Sequence, residues 1–202
     1  MSELPSDEDW LLAHSQFVRE SNAGGRLKVL DLGCGKGRDA VHLVEFGEVI
    51  AADQSEEALT RCRDSVPGVT TVCLDIAQPF PFADGQFDFV LASLSLHYFS
   101  WAETQRAVAE MRRCLCRQGR SIVRLNSIND VNYGAAALAQ DAEIEPCYVR
   151  VWGQKKRFFD DASVRALFAG WQITSMRELT INRYEKHKVV WEVLLKVEGS
   201  NA

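Results

Sequence analysis

Short apolar runs alternate along this chain with stretches whose apolar positions recur every three or four residues, the pattern of strands interleaved with helices. KVLDL, VIAAD, TTVCLD, FDFVLA and SIVRL predict strands over 28–32, 49–53, 70–75, 87–92 and 121–125. Before the first strand, Trp10, Leu11, His14, Phe17 and Val18 share one face of an opening helix. A helix over about 38–45 follows the first strand, and Gly47 ends it as a C-terminal glycine should. Ser55 is placed to cap the next helix, with Glu56 and Glu57 favourable to its dipole. Ser100-Trp-Ala-Glu103 reads as a capping box, opening a helix that Gln118-Gly119 ends. Asp160 caps a short helix ended by Gly170, and strands over 171–180 and 188–197 close the chain around a polar turn. Only the connection over 126–160 lacks clear periodicity, and a loop of that length in a compact domain is usually functional or partly structured.

Strands alternating with helices imply an α/β fold: a mostly parallel sheet with right-handed crossovers, helices on both faces and an antiparallel hairpin at one edge. One domain over 1–202 is expected. Within it, residues 1–25 form an N-terminal helix that either lids the site or covers the sheet, and 126–160 face the substrate.

Charge and cysteines narrow the chemistry. A formal net charge of −5 argues against a nucleic-acid face, which carries a basic stripe. The acidic opening lacks the apolar run of a signal peptide, and no stretch suits a membrane helix, so a cytoplasmic protein is expected, as monomer or homodimer. Six scattered cysteines show no metal-ligand spacing, and no metal is expected.

Three aspartates, Asp31, Asp53 and Asp75, each end one of the first three strands. In an open parallel sheet, ligands bind beyond the carboxyl ends of the strands, so these acids would line one crevice. The first opens the glycine run Gly33-Cys34-Gly35-Lys36-Gly37. A nicotinamide site would use G-x-G-x-x-G, but the position of its third glycine holds Arg38. A carboxylate two residues before the run suits a ligand bearing an ammonium group better than a pyrophosphate. Each aspartate alone is equally a turn cap; three at one edge favour a nucleoside site.

VLDLGCGKGRDA, VIAADQS, LDIAQPFPF and GQFDFVLASLSLHYF, in that order, resemble four successive motifs of the class I S-adenosylmethionine-dependent methyltransferases. The resemblance spans Val29 to about Leu125 and implies that family's Rossmann-like three-layer α/β/α fold, with its reversed C-terminal strand. It also implies S-adenosylmethionine as cofactor and S-adenosylhomocysteine as product. Carried over by position, Gly33, Cys34, Gly35 and Gly37 form the cofactor loop, and Asp31 anchors the methionyl ammonium. Asp53, followed by Gln54, takes the ribose hydroxyls, while Asp75 with Ile76 meets the adenine. Ala92 and Ser93 pass beneath the sulfonium. The first motif looks most like small-molecule members, including tellurite-resistance-type methyltransferases.

A sulfonium methyl is already activated, so a base is needed only for a protonated acceptor. His97, just past the fourth strand, is the candidate catalytic base, or else a residue packing on cofactor or substrate. Tyr98, Asn126, Asn129, Tyr133, Lys156 and Arg157 are the candidate substrate contacts. The basic run around Lys156 would suit a small anionic acceptor. A non-catalytic cofactor-binding module and a nicotinamide-dependent oxidoreductase remain the alternatives.

Overall fold

A computed structural model describes residues 10–22, 25–139, 143–182 and 184–197. Five strands follow one another at the centre: β1 (Leu27–Leu32), β2 (Gly47–Asp53), β3 (Thr70–Cys73), β4 (Phe87–Ser93) and β5 (Leu115–Asn126). With the closing strands 171–181 and 188–197 they make a seven-stranded sheet. Three helices fill the early crossovers: α2 (Ala40–Leu43), α3 (Glu56–Ser65) and α4 (Trp101–Cys114), after a first short helix α1 (Ser15–Arg19). Helix α5 (Asp161–Leu167) precedes the last two strands.

The connection after β5 holds more structure than its sequence pattern announces. Two 3-10 turns, Val131–Tyr133 and Ala135–Ala139, lead into a separate antiparallel sheet of β6 (Glu143–Glu145), β7 (Tyr148–Val151) and β8 (Gln154–Arg157). Strands of three or four residues are too short for an alternation to declare itself. Their hairpin is turned by Trp152 (φ 49°) and Gly153 (φ 80°). Both turn residues sit in the left-handed region, where the first would ordinarily be Asn, Asp or Gly. Numbering ends with β9 (Trp171–Ile181) and β10 (Lys188–Val197).

The large sheet runs β3-β2-β1-β4-β5-β10-β9. Strands β1 to β5 pair in parallel, and β10 runs antiparallel to both β5 and β9, as the hairpin at one edge required. Since β2 and β3 lie on one side of β1 and β4 lies on the other, the strand order reverses between β1 and β4. The crevice at that reversal is where α/β sheets take their ligands.

Alternation along the strands divides the core. Leu30, Leu32, Val90, Ala92, Val123 and Leu125 face α4 and α5, meeting Val108, Met111, Val164 and Phe168. On the opposite face Val29, Val49, Phe89, Leu91 and Ile122 meet Trp10, Leu11, Val18 and Leu43. The opening segment is a 3-10 turn, Trp10–His14, running into α1 rather than one helix. Its described residues pack on the sheet face and do not line the crevice described below, while 1–9 and 23–24 of the expected N-terminal segment lie outside the described residues.

Ser55 and the Ser100/Glu103 box cap α3 and α4 as expected, each side chain taking its orphan backbone N–H. Helix α4, however, ends at Cys114 and not at Gln118-Gly119. Gly119 sits within β5, where a Cβ would lie 2.9 Å from the Cys116 carbonyl oxygen. There the pairing with β4 shifts register, so this glycine marks a bulge rather than a helix end. Among the described residues no helix is long and apolar enough to cross a membrane.

Candidate active site

The glycine loop leaves β1 directly over the end of β2. Gly33 N and Cys34 N donate to Ala52 O at 2.7 and 3.0 Å, and Gly35 N donates to Asp53 Oδ2 at 2.9 Å. Asp53 Oδ1 accepts from Ser55 N at 3.0 Å, so one carboxylate ties the loop to the start of α3. Three glycines serve three different ends. A Cβ on Gly33 would fall 2.2 Å from Ser95 Cβ, because the loop there touches the chain leaving β4. On Gly37 it would strike Cys62 and Val66 of the α3 region. On Gly35 it would meet nothing within 4 Å, although φ is +55°. Only this third position leaves space clear for a ligand.

That space belongs to a cleft of about 400 Å³. Gly33, Gly35, Asp53, Gln54 and Ile76 line it, five of the residues expected at the cofactor. Leu74, Leu94, Ser95, Tyr98 and Phe99 complete its wall. Asp31, Cys34, Gly37, Asp75, Ala92 and Ser93 are not among its lining residues. Asp31 is buried at the end of β1. Burial, with the Asp31 and Cys62 charges behind it, pushes the Cys34 thiol well above its ordinary pKa, so the loop thiol is not activated. Asp75 is exposed and accepts from Ala77 N at 2.9 Å, the turn-capping role.

Of the wall residues, Leu94 carries the least visible signal. It adopts φ 58°, a conformation that costs a β-branched or bulky side chain strain and leaves no mark in sequence. Ser95 and Phe99 lie in the same Ser93–Phe99 stretch as His97, which the motif had already singled out.

Beyond Leu94 a 3-10 turn, Leu96–Tyr98, carries His97. His97 is 3% exposed, its Nδ1 has no hydrogen-bond partner, and its ring stacks on Tyr98 with centroids 4.1 Å apart. Burial first, then the positive charges of Lys188 and Lys156, hold its pKa well below the usual histidine value. The imidazole is therefore neutral at pH 7. Tyr148 Oη donates to Tyr98 O at 2.9 Å and Arg157 Nε to Phe99 O at 3.3 Å, so the small sheet holds this turn in place.

The expected substrate contacts separate. Arg157 is spent: besides Phe99 O it donates to Pro146 O and pairs with Glu145. Asn129 Nδ2 donates to Glu178 on β9 at 2.9 Å. Tyr133 bonds the backbone of Lys186, and its ring lies 4.8 Å from Lys188 Nζ. Asn126 is fully buried, and neither amide atom has a hydrogen-bond partner. Lys156 is half-buried with its ammonium 5.0 Å from the Trp152 ring. Lys188 was not foreseen. It opens β10 as an ordinary strand residue, and its partner Asp130 is remote in sequence.

A glycine loop and a strand-end acid thus meet at the strand-order reversal of an α/β sheet. Residues 29–119 match the methyltransferase domain family. An uncharacterised methyltransferase from Synechocystis is 39% identical over 89 residues, 44% of this chain and 42% of that protein. The chain thus spans less than half the length of that relative. A crystallised S-adenosylmethionine-dependent methyltransferase from Methanosarcina mazei superposes with TM-score 0.75 at 16% identity, over 86% of this chain and 93% of that one. The N-methyltransferase NodS from Bradyrhizobium japonicum, solved with S-adenosylhomocysteine, gives 0.67 at 15% identity over 96% and 89%. The chain has the Rossmann-like fold of these solved methyltransferases.

Proposed function

We propose that this protein transfers the methyl group of S-adenosylmethionine to a small-molecule acceptor of anionic character. The observation that carries the reading is the cleft at the strand-order reversal, open above Gly35 and edged by the Asp53 carboxylate. S-adenosylmethionine, when bound, supplies a sulfonium-activated methyl group whose bonding electron pair stays with sulfur. Asp53 has the charge to accept from ribose hydroxyls, and Leu74, Ile76, Leu94 and Phe99 give the apolar wall an adenosine needs. Ser93 and Ser95 hydroxyls, buried without hydrogen-bond partners at the end of β4, add unspent polar groups at the same edge. By their positions in the motifs, Asp31 takes the methionyl ammonium and Asp75 the adenine amino group.

For a protonated acceptor, His97 Nδ1 takes the proton as the acceptor atom gains the methyl. A carboxylate or another anion needs no base, and there His97 orients. The protein works on a small molecule and not on a nucleic acid, in keeping with its net charge of −5. Calorimetry with S-adenosylmethionine, S-adenosylhomocysteine and NADH tests the cofactor: binding of the two sulfur nucleotides and not of NADH is expected. NADH binding alone refutes the reading. Transfer of labelled methyl across a panel of small acids and phenols then tests catalysis, and binding without transfer to any acceptor favours a non-catalytic module.

A further inference from the structure

A second cavity, of about 550 Å³, lies between the small sheet, the start of α4 and helix α5. It shares no lining residue with the cleft at Gly35 and Asp53. The two are neighbours nonetheless: Phe99 lines the cleft and Trp101 the cavity, and Arg157 of the cavity wall donates to Phe99 O at 3.3 Å. Trp101, Pro146, Phe158, Phe159, Ala162 and Ala166 form most of the wall, so the surface offered is apolar and in part aromatic. Small-molecule sites occupy roughly 300–1,000 Å³, and this cavity is of that size.

The charges that reach this wall are already matched within the protein. Glu145 pairs with Arg157 and accepts from Trp101 N at 3.0 Å. Arg157 also donates to Pro146 O at 3.1 Å. Asp160 accepts from Ser163 N and Ser163 Oγ at 2.8 and 2.6 Å, and so caps α5. Burial pushes the Cys147 thiol above its ordinary pKa, so this wall residue is uncharged at pH 7. An entering ion would lose its hydration without meeting an uncommitted opposite charge. A neutral ring has no such loss, and it gains by burying its faces against Trp101 and the two phenylalanines. Two carboxylates against one guanidinium make a cation the nearer rival among charged ligands.

We propose that this cavity is a second ligand site, separate from the cleft, which takes a neutral planar aromatic molecule of one or two rings. The site does not depend on what the cleft binds.

The test is calorimetric titration of the whole protein with indole, indole-3-acetate, tryptamine and cyclohexanol, with and without S-adenosylhomocysteine. The first three share one ring system and differ in charge, and the last is neutral but not aromatic. Indole should bind once per chain, at least tenfold more tightly than the other three, and equally in both conditions. Alkylation by N-ethylmaleimide with peptide mass mapping locates it: indole should slow modification of Cys147 at least threefold and leave that of the exposed Cys73 unchanged. Ala162→Trp, at an exposed position of the wall, should fill the cavity and weaken indole at least tenfold in a protein that still melts cooperatively. Ala166→Trp, one helical turn further on, should do the same. Absence of indole binding, preference for either ion or for cyclohexanol, or displacement of indole by S-adenosylhomocysteine overturns the proposal. So does Cys147 alkylation indifferent to indole, or indole binding indifferent to both tryptophan variants.

Discussion

Replacing Asp53 by alanine should remove more than the ribose contact proposed for it. In the free protein its two oxygens hold Gly35 N at 2.9 Å and Ser55 N at 3.0 Å. Both amides are near solvent, so water replaces the lost bonds and the fold should weaken by only about 1 kcal/mol. The cofactor loses more. A charge-assisted hydrogen bond is worth about 1.5–3 kcal/mol, and two bonds to one diol are not fully additive, so roughly 2–3 kcal/mol is expected. That corresponds to about 30- to 150-fold in dissociation constant. Asp53→Asn keeps the size and one acceptor oxygen but no charge, and should fall between wild type and alanine. The assay is calorimetric titration with S-adenosylhomocysteine, with thermal melts of all three proteins alongside. An alanine variant that melts cooperatively and binds within threefold of wild type would refute the placement of the ribose at Asp53.

The two open questions about the glycine loop separate by substitution. Gly33→Ala, which must displace Ser95 and hold φ +78°, should cost about 3 kcal/mol of stability, seen as a lowered denaturant midpoint. Gly35→Ala meets no atom, so it should cost only the roughly 1–2 kcal/mol of its left-handed backbone while weakening cofactor binding by more than tenfold in the same calorimetric assay. Glu192 yields a pH prediction. Burial raises its pKa, yet the His14 hydrogen bond and the Arg124 guanidinium outweigh this and bring it down to about 2 from 4.5. A carboxylate with a depressed folded pKa stabilises fully above pH 4.5 and loses that contribution as pH falls through about 2, so acid melts of wild type should steepen there and those of Glu192→Gln should not. Ser100→Ala removes the hydroxyl that accepts from Glu103 N, leaves the backbone N–H of residue 100 donating to the Glu103 carboxylate, and should lower stability by about 1 kcal/mol in urea titration.

The amino-acid sequence by itself determined the succession of the large-sheet strands along the chain, the caps at Ser55 and Ser100, the closing hairpin, and the glycine run and strand-end acid from which Gly33, Gly35 and Asp53 line the cleft. Those features are local. Each is set by an alternation, a capping side chain or a turn residue within a few positions, which is the range over which pattern carries information. Tertiary structure decided what depends on distant chain segments meeting. It put Ser95 into the space a Gly33 side chain would take, and turned Leu94 to a positive φ. It buried Arg157 against Glu145. It also brought Lys188 from β10 onto Asp130 from the loop after β5, a pair 58 residues apart. No periodicity encodes such a meeting, because each partner's local pattern is satisfied whether or not the other arrives. The cleft at Gly35 and Asp53 lies on strand ends whose spacing repeats along the chain, whereas the inserted sheet and the returning strand β10 reach their partners through packing alone.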